Sequence, residues 1–256
     1  MAVARIGLVR GPAPGTGYPS CLMHMLRGAL VSLVVGVSTA LVVVAVSILP
    51  FLSPVWVGFE QGRAQAGAWT GYDPADLRAA TDSILSDLVL GPPRFDVQVG
   101  GQAVLTERER GHMRDVRGVF GGFFVAAGIG ALVLLAAFVA TRGRDRAALW
   151  RRVSRSGVVV AVVTVVGGLA GLLFFDQAFI LFHEVFFPQG NYLFDPRTDR
   201  LVQLFPESFW VESTVGVGVV LIVLSFALAV LGGRRAAMIE ARASRTPAAL
   251  SAVPVR

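Results

Sequence analysis

Cysteine is nearly absent from this sequence, and lysine is absent altogether. Cys21 is the single cysteine, so no disulfide can form within the chain. The residues before it, Tyr18-Pro19-Ser20, do not make a lipid-attachment motif, and we interpret Cys21 as an unspecialised thiol. Lysine does not occur, because all 23 basic residues are arginine. We attribute that usage to genome composition and draw no chemistry from it.

Common catalytic and nucleotide-binding motifs are missing too. The sequence has no P-loop, no Gly-x-Gly-x-x-Gly, no Gly-x-Ser-x-Gly and no Cys/His zinc pattern. His183-Glu184 matches the start of the zinc motif His-Glu-x-x-His, but Phe187 stands where the second histidine is needed. We therefore predict no metal site and no cofactor.

Charge is scarce, since only 16% of residues are charged while 54% are hydrophobic. Soluble domains have roughly 45–50% apolar residues, so this composition indicates a membrane protein. A bilayer span takes roughly 20 residues. Four stretches qualify: 28–50, 118–141, 157–182 and 213–233. We predict an all-α membrane protein, a four-transmembrane-helix bundle (residues 28–233) with a small extracytoplasmic subdomain between spans 1 and 2.

The distribution of charge predicts how the spans are oriented. Residues 1–27, 142–156 and 234–256 contain 14 arginines and two acidic residues. Residues 51–117 and 176–212 contain 9 arginines and 15 acidic residues. Because arginine-rich loops stay in the cytoplasm, we predict that both termini of this multi-pass protein are cytoplasmic. The loops 51–117 and 183–212 then face outward, and no nucleic-acid partner is expected.

Both ends of the chain are predicted to lie outside the membrane domain. Residues 1–27 are expected to form a disordered cytoplasmic N-terminus, and residues 234–256 a basic cytoplasmic tail. The first span is long for a signal peptide, whose apolar region has roughly 7–15 residues. We therefore expect it to be retained.

The first outer loop contains clear helix and turn signals. Asp73 followed by Pro74 predicts a helix start, and Gly91-Pro92-Pro93 predicts its end. Residues 95–105 alternate weakly around Gly100-Gly101, which predicts a short hairpin. These signals indicate a small folded subdomain in this loop.

His112 is expected just above the second span. Thr106 and Glu109 have the spacing of a capping box, which predicts a helix that starts at Glu107 and continues unbroken into the span. His112 and Asp115 fall on one face of that helix. We therefore expect Asp115 to orient the imidazole.

His183 is expected at the outer end of the third span, in a stretch rich in phenylalanine. Asp176 lies on the same helical stripe and is expected to fix its tautomer. Residues 188–191 break the helix, and Asn191 to Glu212 is predicted to be an interfacial loop. Ionisable groups at the edge of a span are costly and so indicate function. The additional candidates are Glu184, Asn191, Asp195 and Asp199.

Two motifs together resemble the signature of a bacterial four-span membrane family that includes the lipoprotein intramolecular transacylases. The first is Glu109-x-x-His112-Met113-x-Asp115. The second runs from Phe182-His183-Glu184 through Asn191, Asp195-Pro196 and Asp199–Val202 to Phe205–Trp210. The resemblance covers about residues 28–233. Tyr192 departs from it, since a tryptophan is commoner there.

The resemblance implies a reaction and a set of roles. Family transacylases move the sn-2 acyl chain of a diacylglyceryl-modified lipoprotein to the α-amine of its N-terminal cysteine. The implied partners are therefore such lipoproteins and membrane lipid. His112 and His183 occupy the positions of the catalytic histidines, with Asp115 and Asp176 orienting them. Asn191 is expected to donate a hydrogen bond to the oxyanion.

Two other functions remain open from the residues alone. One is a non-catalytic membrane sensor or assembly protein whose outer histidines bind protons, metal or another protein. The other is a lipid-ester hydrolase that uses the same histidine pair on water. Imidazoles about 4–8 Å apart, close enough to act on one tetrahedral centre, favour an enzyme. A separation beyond roughly 12 Å excludes that use of the pair.

Overall fold

A computed structural model describes residues 18–250 of the chain, with side chains from residue 22 to residue 245. The chain divides into two units at Val35, and all the contacts discussed here lie within the second. The helices are α1 (Tyr18–Ile48), α2 (Pro54–Arg63), α3 (Ala66–Thr70), α4 (Pro74–Val89), α5 (Glu107–Ala140), α6 (Gly143–Leu173), α7 (Phe175–Phe186), α8 (Arg200–Leu204) and α9 (Glu207–Leu250). A 3₁₀ helix, Leu49–Leu52, follows α1, and the strands β1 (Gln98–Val99) and β2 (Gln102–Ala103) form an antiparallel hairpin.

Four of the helices, α1, α5, α6 and α9, are long and apolar enough to cross a membrane. This confirms the predicted fold class. Each of these helices begins before the corresponding predicted span, and α9 also ends after it. Residues 18–27, which were expected to be disordered, belong to α1; residues 1–17 lie outside the described part of the chain. Residues 234–250 of the basic tail continue α9.

Small residues bring α6 and α9 close together. A Cβ atom on Gly157 would lie 2.6 Å from the Ser225 carbonyl oxygen, and one on Gly232 would lie 3.1 Å from the Trp150 carbonyl oxygen. The Ser154 hydroxyl donates a 2.7 Å hydrogen bond to the Ala229 carbonyl oxygen. Small side chains let helices approach closely in lipid, so glycine is needed where these two spans meet.

The third predicted span is not one continuous helix. α6 ends at Leu173, and Phe174 has φ −130° and ψ 47°, outside the helical region. α7 then begins at Phe175 as a separate 12-residue helix. The hydrophobic pattern gave no sign of this break, because Phe174 and Phe175 are as apolar as the residues around them. His183 therefore lies on a separate short helix and not on the continuation of α6.

The predicted local signals of the first loop are present. Asp73 caps α4 by accepting hydrogen bonds from the backbone N–H groups of Ala75 and Asp76. Gly100 and Gly101 form the hairpin turn with φ of 58° and 77°, values that favour glycine. The Thr106–Glu109 capping box is complete, and α5 runs unbroken for 34 residues. The helices α2 and α3 were not predicted.

The two loops share one hydrophobic core, which we call the loop subdomain (residues 53–106 and 187–206). Its buried side chains include Ile84, Phe95 and Val104 from the first loop and Leu204 and Phe205 from the second. The expected interfacial loop 191–212 is thus partly wrong, because it contains α8 and the start of α9. The subdomain therefore draws on both loops, and not only on the one between spans 1 and 2.

Candidate active site

A buried carboxylate positions the start of α5 and, with it, His112. Glu109 has no exposed surface. One of its oxygens accepts hydrogen bonds from the backbone N–H and the hydroxyl of Thr106, both at 2.7 Å. The other accepts from the backbone N–H of Leu201 at 2.7 Å. Glu109 therefore ties the first turn of α5 to α8, three residues before His112.

His183 lies near the end of α7, where the backbone of its own helix holds it. Its Nδ1 is 2.8 Å from the Phe179 carbonyl oxygen. A carbonyl oxygen only accepts, so Nδ1 carries a proton, and in the neutral imidazole Nε2 is then unprotonated. Asp176 was expected to fix this tautomer, but it is exposed and the hydrogen bond goes to Phe179.

The two histidines stack against each other. Their ring centroids are 5.8 Å apart, with an angle of 23° between the ring planes. His112 is 6% exposed and His183 is 8% exposed. The separation falls inside the 4–8 Å range that favours two groups acting on one centre. A buried pair of titratable side chains is a candidate for acid–base chemistry.

Aromatic side chains enclose the pair. Phe187, itself 1% exposed, lies 4.9 Å from His112 and 5.5 Å from His183 between ring centroids. Phe194 contacts His112 at 5.5 Å, and Tyr192 contacts His183 at 4.9 Å. Such walls exclude water and suit an apolar acyl chain. Sequence reasoning gave these three residues no role, because a phenylalanine-rich stretch reads as ordinary membrane-edge composition.

Burial alters the acidity of His183. It lowers the pKa of His183 below the ordinary value of 6.5, and the hydrogen bond to the Phe179 carbonyl partly opposes this effect. The imidazole is therefore neutral at physiological pH. A neutral imidazole with an unprotonated Nε2 is a proton acceptor.

Asp115 contacts two amide side chains. Its Oδ2 accepts a hydrogen bond from Gln189 Nε2 at 2.6 Å and another from Asn191 Nδ2 at 2.7 Å. Asp115 was expected to orient His112 directly. Its carboxylate instead bonds two residues in the chain that follows α7. Gln189 was not predicted as a site residue.

The remaining predicted acids support the loop or face outward. Asp199, 9% exposed, accepts from Arg108 at 2.8 Å and from the backbone N–H of Asp195 at 2.7 Å. The Arg108 guanidinium also lies 4.9 Å from the centre of the Phe194 ring, so this ion pair packs on a ring that contacts His112. The backbone N–H and guanidinium of Arg197 lower the pKa of Asp195. Glu184 is exposed on α7.

The described residues offer no set of side chains that could bind a metal ion. Residues 18–250 contain no group of three or more histidine, cysteine, aspartate or glutamate side chains that could hold an ion. What the arrangement does offer is two imidazoles within reach of one reacting carbon. It can take a proton from a nucleophile and return it to a leaving oxygen.

Comparison with protein families gives one match that covers well over half of the chain. The profile of the family described as lipoprotein intramolecular transacylase Lit matches residues 31–210. Among curated proteins, an uncharacterised protein of Aquifex aeolicus (strain VF5) is 28% identical over 131 residues. That alignment covers 51% of this chain and 56% of the relative, so the chain spans just over half the length of this curated relative.

Solved structures of the membrane-integral lipoprotein intramolecular transacylase Lit from Bacillus cereus have a similar fold. A histidine-to-arginine mutant is 17% identical with a TM-score of 0.61, covering 90% of this chain and 100% of that one. A second structure is 18% identical with a TM-score of 0.60, covering 84% of this chain and 99% of that one. At these identities the likeness establishes the fold.

Proposed function

The chain belongs to the lipoprotein intramolecular transacylase family, a family of membrane acyltransferases, and on that basis we propose that it moves an acyl chain within a membrane lipoprotein. The donor is the ester of a diacylglyceryl group on the N-terminal cysteine, and the acceptor is the α-amine of the same cysteine. The observation that carries the proposal is the buried His112–His183 pair, with ring centroids 5.8 Å apart.

The reaction balances without water or a cofactor. The amine nitrogen attacks the ester carbonyl carbon, and a tetrahedral intermediate forms. The bond from that carbon to the glycerol oxygen then breaks, and an amide remains. One proton leaves the nitrogen and one reaches the glycerol oxygen, so the product is an isomer of the substrate. Because both groups belong to one molecule, orientation supplies much of the acceleration.

We propose that His183 removes the amine proton. Its Nδ1–H is fixed by Phe179 and its Nε2 is unprotonated, as a base requires. His112, stacked on it, is proposed to take up that proton at Nε2, to stabilise the intermediate as the imidazolium, and then to return the proton to the glycerol oxygen. The wall of Phe187, Phe194 and Tyr192 keeps water from the intermediate.

The proposed site faces outward from the cytoplasmic membrane, with both termini in the cytoplasm. The support is the charge distribution, since arginine is concentrated in the termini and the 142–156 loop. His112 and His183 lie on the side of the loop subdomain, whose parent loops carry the acidic excess. Diacylglyceryl lipoproteins of the outer leaflet reach such a site through the lipid.

Mass spectrometry of lipoprotein N-terminal peptides tests this function. Peptides are compared from cells that lack the protein, that make it, or that make the His183→Ala variant. Because substrate and product have equal mass, the acyl chain is located by fragmentation, with an N-acyl cysteine marking transfer. We expect this product with the unchanged protein and with the His24→Ala control, and not with His183→Ala or in cells that lack the protein. His24→Ala is the matched control, since His24, in α1, has no part in the proposed reaction.

Two results would contradict the proposed reaction, and a third would contradict the roles given to the histidines. A lyso-lipoprotein that has lost one acyl chain, with a free α-amine, would indicate the hydrolase. Unchanged diacylglyceryl cysteine, with the protein shown to be folded in the membrane, would indicate a non-catalytic role. N-acyl product that persists in both His183→Ala and His112→Ala would refute the assignment of the histidines.

A further inference from the structure

Asp115 dictates how the Asn191 amide is oriented. Its carboxylate accepts from Asn191 Nδ2 at 2.7 Å and from Gln189 Nε2 at 2.6 Å. An ionised carboxylate has no proton to give, so only the NH₂ end of the amide can face it. The carbonyl end, Asn191 Oδ1, must point the other way. That oxygen is buried and has no hydrogen-bond partner within residues 18–250.

His112 has the complementary need. Its Nδ1 is also buried and unpartnered among the described side chains, and His112 lies one helical turn before Asp115, the residue that holds Asn191. Buried polar atoms are nearly always paired in folded proteins. A carbonyl oxygen accepts and a ring nitrogen that carries a proton donates, so these two atoms can satisfy each other.

Resting on the proposed function, we propose that Asn191 is a positioning residue that accepts a hydrogen bond from His112 Nδ1 and so holds His112 in the tautomer with an unprotonated Nε2. Asp115 serves this bond by preventing the amide from turning over. His183 reaches the same tautomer through the Phe179 carbonyl. Both Nε2 atoms are then free to exchange protons with the substrate.

This role differs from donation to an oxyanion. An oxyanion needs an N–H group of the amide, and one of the two N–H groups of Asn191 already donates a hydrogen bond to Asp115. Asn191 thus acts on the reaction through His112. Loss of the partner that orients a metal-bound histidine typically lowers activity about 10–100-fold, and we expect a loss of similar size here. The loss is expected in kcat, with KM little changed, because the amide is not required to touch the acyl chain.

Nitrogen NMR of the purified full-length protein in detergent micelles tests the proposal. The chain has three histidines, so ¹⁵N-histidine labelling gives few signals, and His24→Ala and His183→Ala variants assign them. The ¹⁵N shift separates a protonated from an unprotonated ring nitrogen. We expect His112 to show one fixed tautomer, Nδ1–H, in the unchanged protein. In Asn191→Ala its two nitrogens should shift toward averaged values, while those of His183 stay in place.

Two further variants sharpen the test. Gln189→Ala removes an amide bonded to the same Asp115 oxygen, and we expect it to leave the His112 tautomer unchanged. Asp115→Asn lets the Asn191 amide turn over, and we expect it to shift the His112 signals as Asn191→Ala does. Unmoved His183 signals show in each case that the fold is intact.

A His112 tautomer that is unchanged in Asn191→Ala would overturn the proposal, and so would an Nε2–H tautomer in the unchanged protein. The readout does not depend on turnover. If lipoprotein peptides show no transfer while the tautomer follows Asn191, the proposed function fails and the positioning contact stands. If transfer occurs and the tautomer ignores Asn191, only the positioning contact fails.

Discussion

Glu109 and Glu107 form a natural comparison in the first turn of α5. Both are acidic residues at a helix N-terminus, so both gain similarly from the helix dipole. Glu109 is fully buried and accepts three hydrogen bonds, from Thr106 and Leu201. Glu107 has a side chain 70% exposed and pairs with Arg110 and Arg114. The difference between them therefore isolates the effect of the buried contacts.

Glu109→Gln keeps the shape of the side chain but replaces one accepting oxygen by a donating NH₂. Whichever way the amide turns, a donor then faces either the Leu201 N–H or the two donors of Thr106. A hydrogen bond to a charged group contributes about 1.5–3 kcal/mol, and an unsatisfied buried donor costs about 1–3 kcal/mol. Since these terms overlap, we expect a loss of about 2–4 kcal/mol in the free energy of unfolding.

Denaturant titration in detergent measures this loss, with Glu107→Gln as the control. The exposed ion pairs of Glu107 contribute little, because solvent screens them. We also expect Glu109→Gln to weaken acyl transfer, since the turn it anchors carries His112. Equal stabilities of the Glu109→Gln and Glu107→Gln proteins would refute the reasoning that this carboxylate joins α5 to α8.

Three further predictions concern packing and protonation. Gly157→Leu should lower the free energy of unfolding by about 1–3 kcal/mol, because the added Cβ would meet the Ser225 carbonyl oxygen. Gly167→Leu is the control in the same unfolding measurement, because a Cβ at Gly167 would have no neighbouring atom within 4 Å. Burial, and then the nearby Glu212 carboxylate, raise the pKa of Glu60 above 4.5. The folded state therefore loses stability as pH rises through that raised value, and Glu60→Gln should raise the thermal midpoint more at pH 8 than at pH 5; equal gains would contradict this. His183 should titrate below pH 6.5 by NMR, since burial favours its neutral form; a midpoint above 6.5 would contradict that.

Local sequence signals predicted the parts of the fold that depend on a few neighbouring residues. The cap at Asp73, the turn at Gly100-Gly101 and the capping box at Thr106 each rest on contacts within about four positions, so their residue types suffice. The apolar runs likewise predicted the four long helices, because length and hydrophobicity decide whether a segment can span a bilayer. These features needed no knowledge of tertiary structure.

Contacts between distant segments were harder to predict. His112 and His183 were both expected at one membrane depth, but the sequence left their separation open; their ring centroids lie 5.8 Å apart. Their orienting partners did not follow. Spacing along a helix favoured Asp176 for His183, but the carbonyl four residues before the histidine takes that bond. Spacing favoured Asp115 for His112, but Asp115 instead bonds the amide of Asn191.

The distance between the histidines depends on the loop subdomain more than on the spans. His112 sits on α5, whose first turn is tied to α8 through Glu109. His183 sits on α7, which the break at Phe174 separates from α6. The chain that follows α7 returns to His112 through Phe187 and to Asp115 through Asn191. Since these ties come from the subdomain, its packing can change the site while the four spans stay folded. Activity is therefore a more sensitive measure of subdomain integrity than helical content.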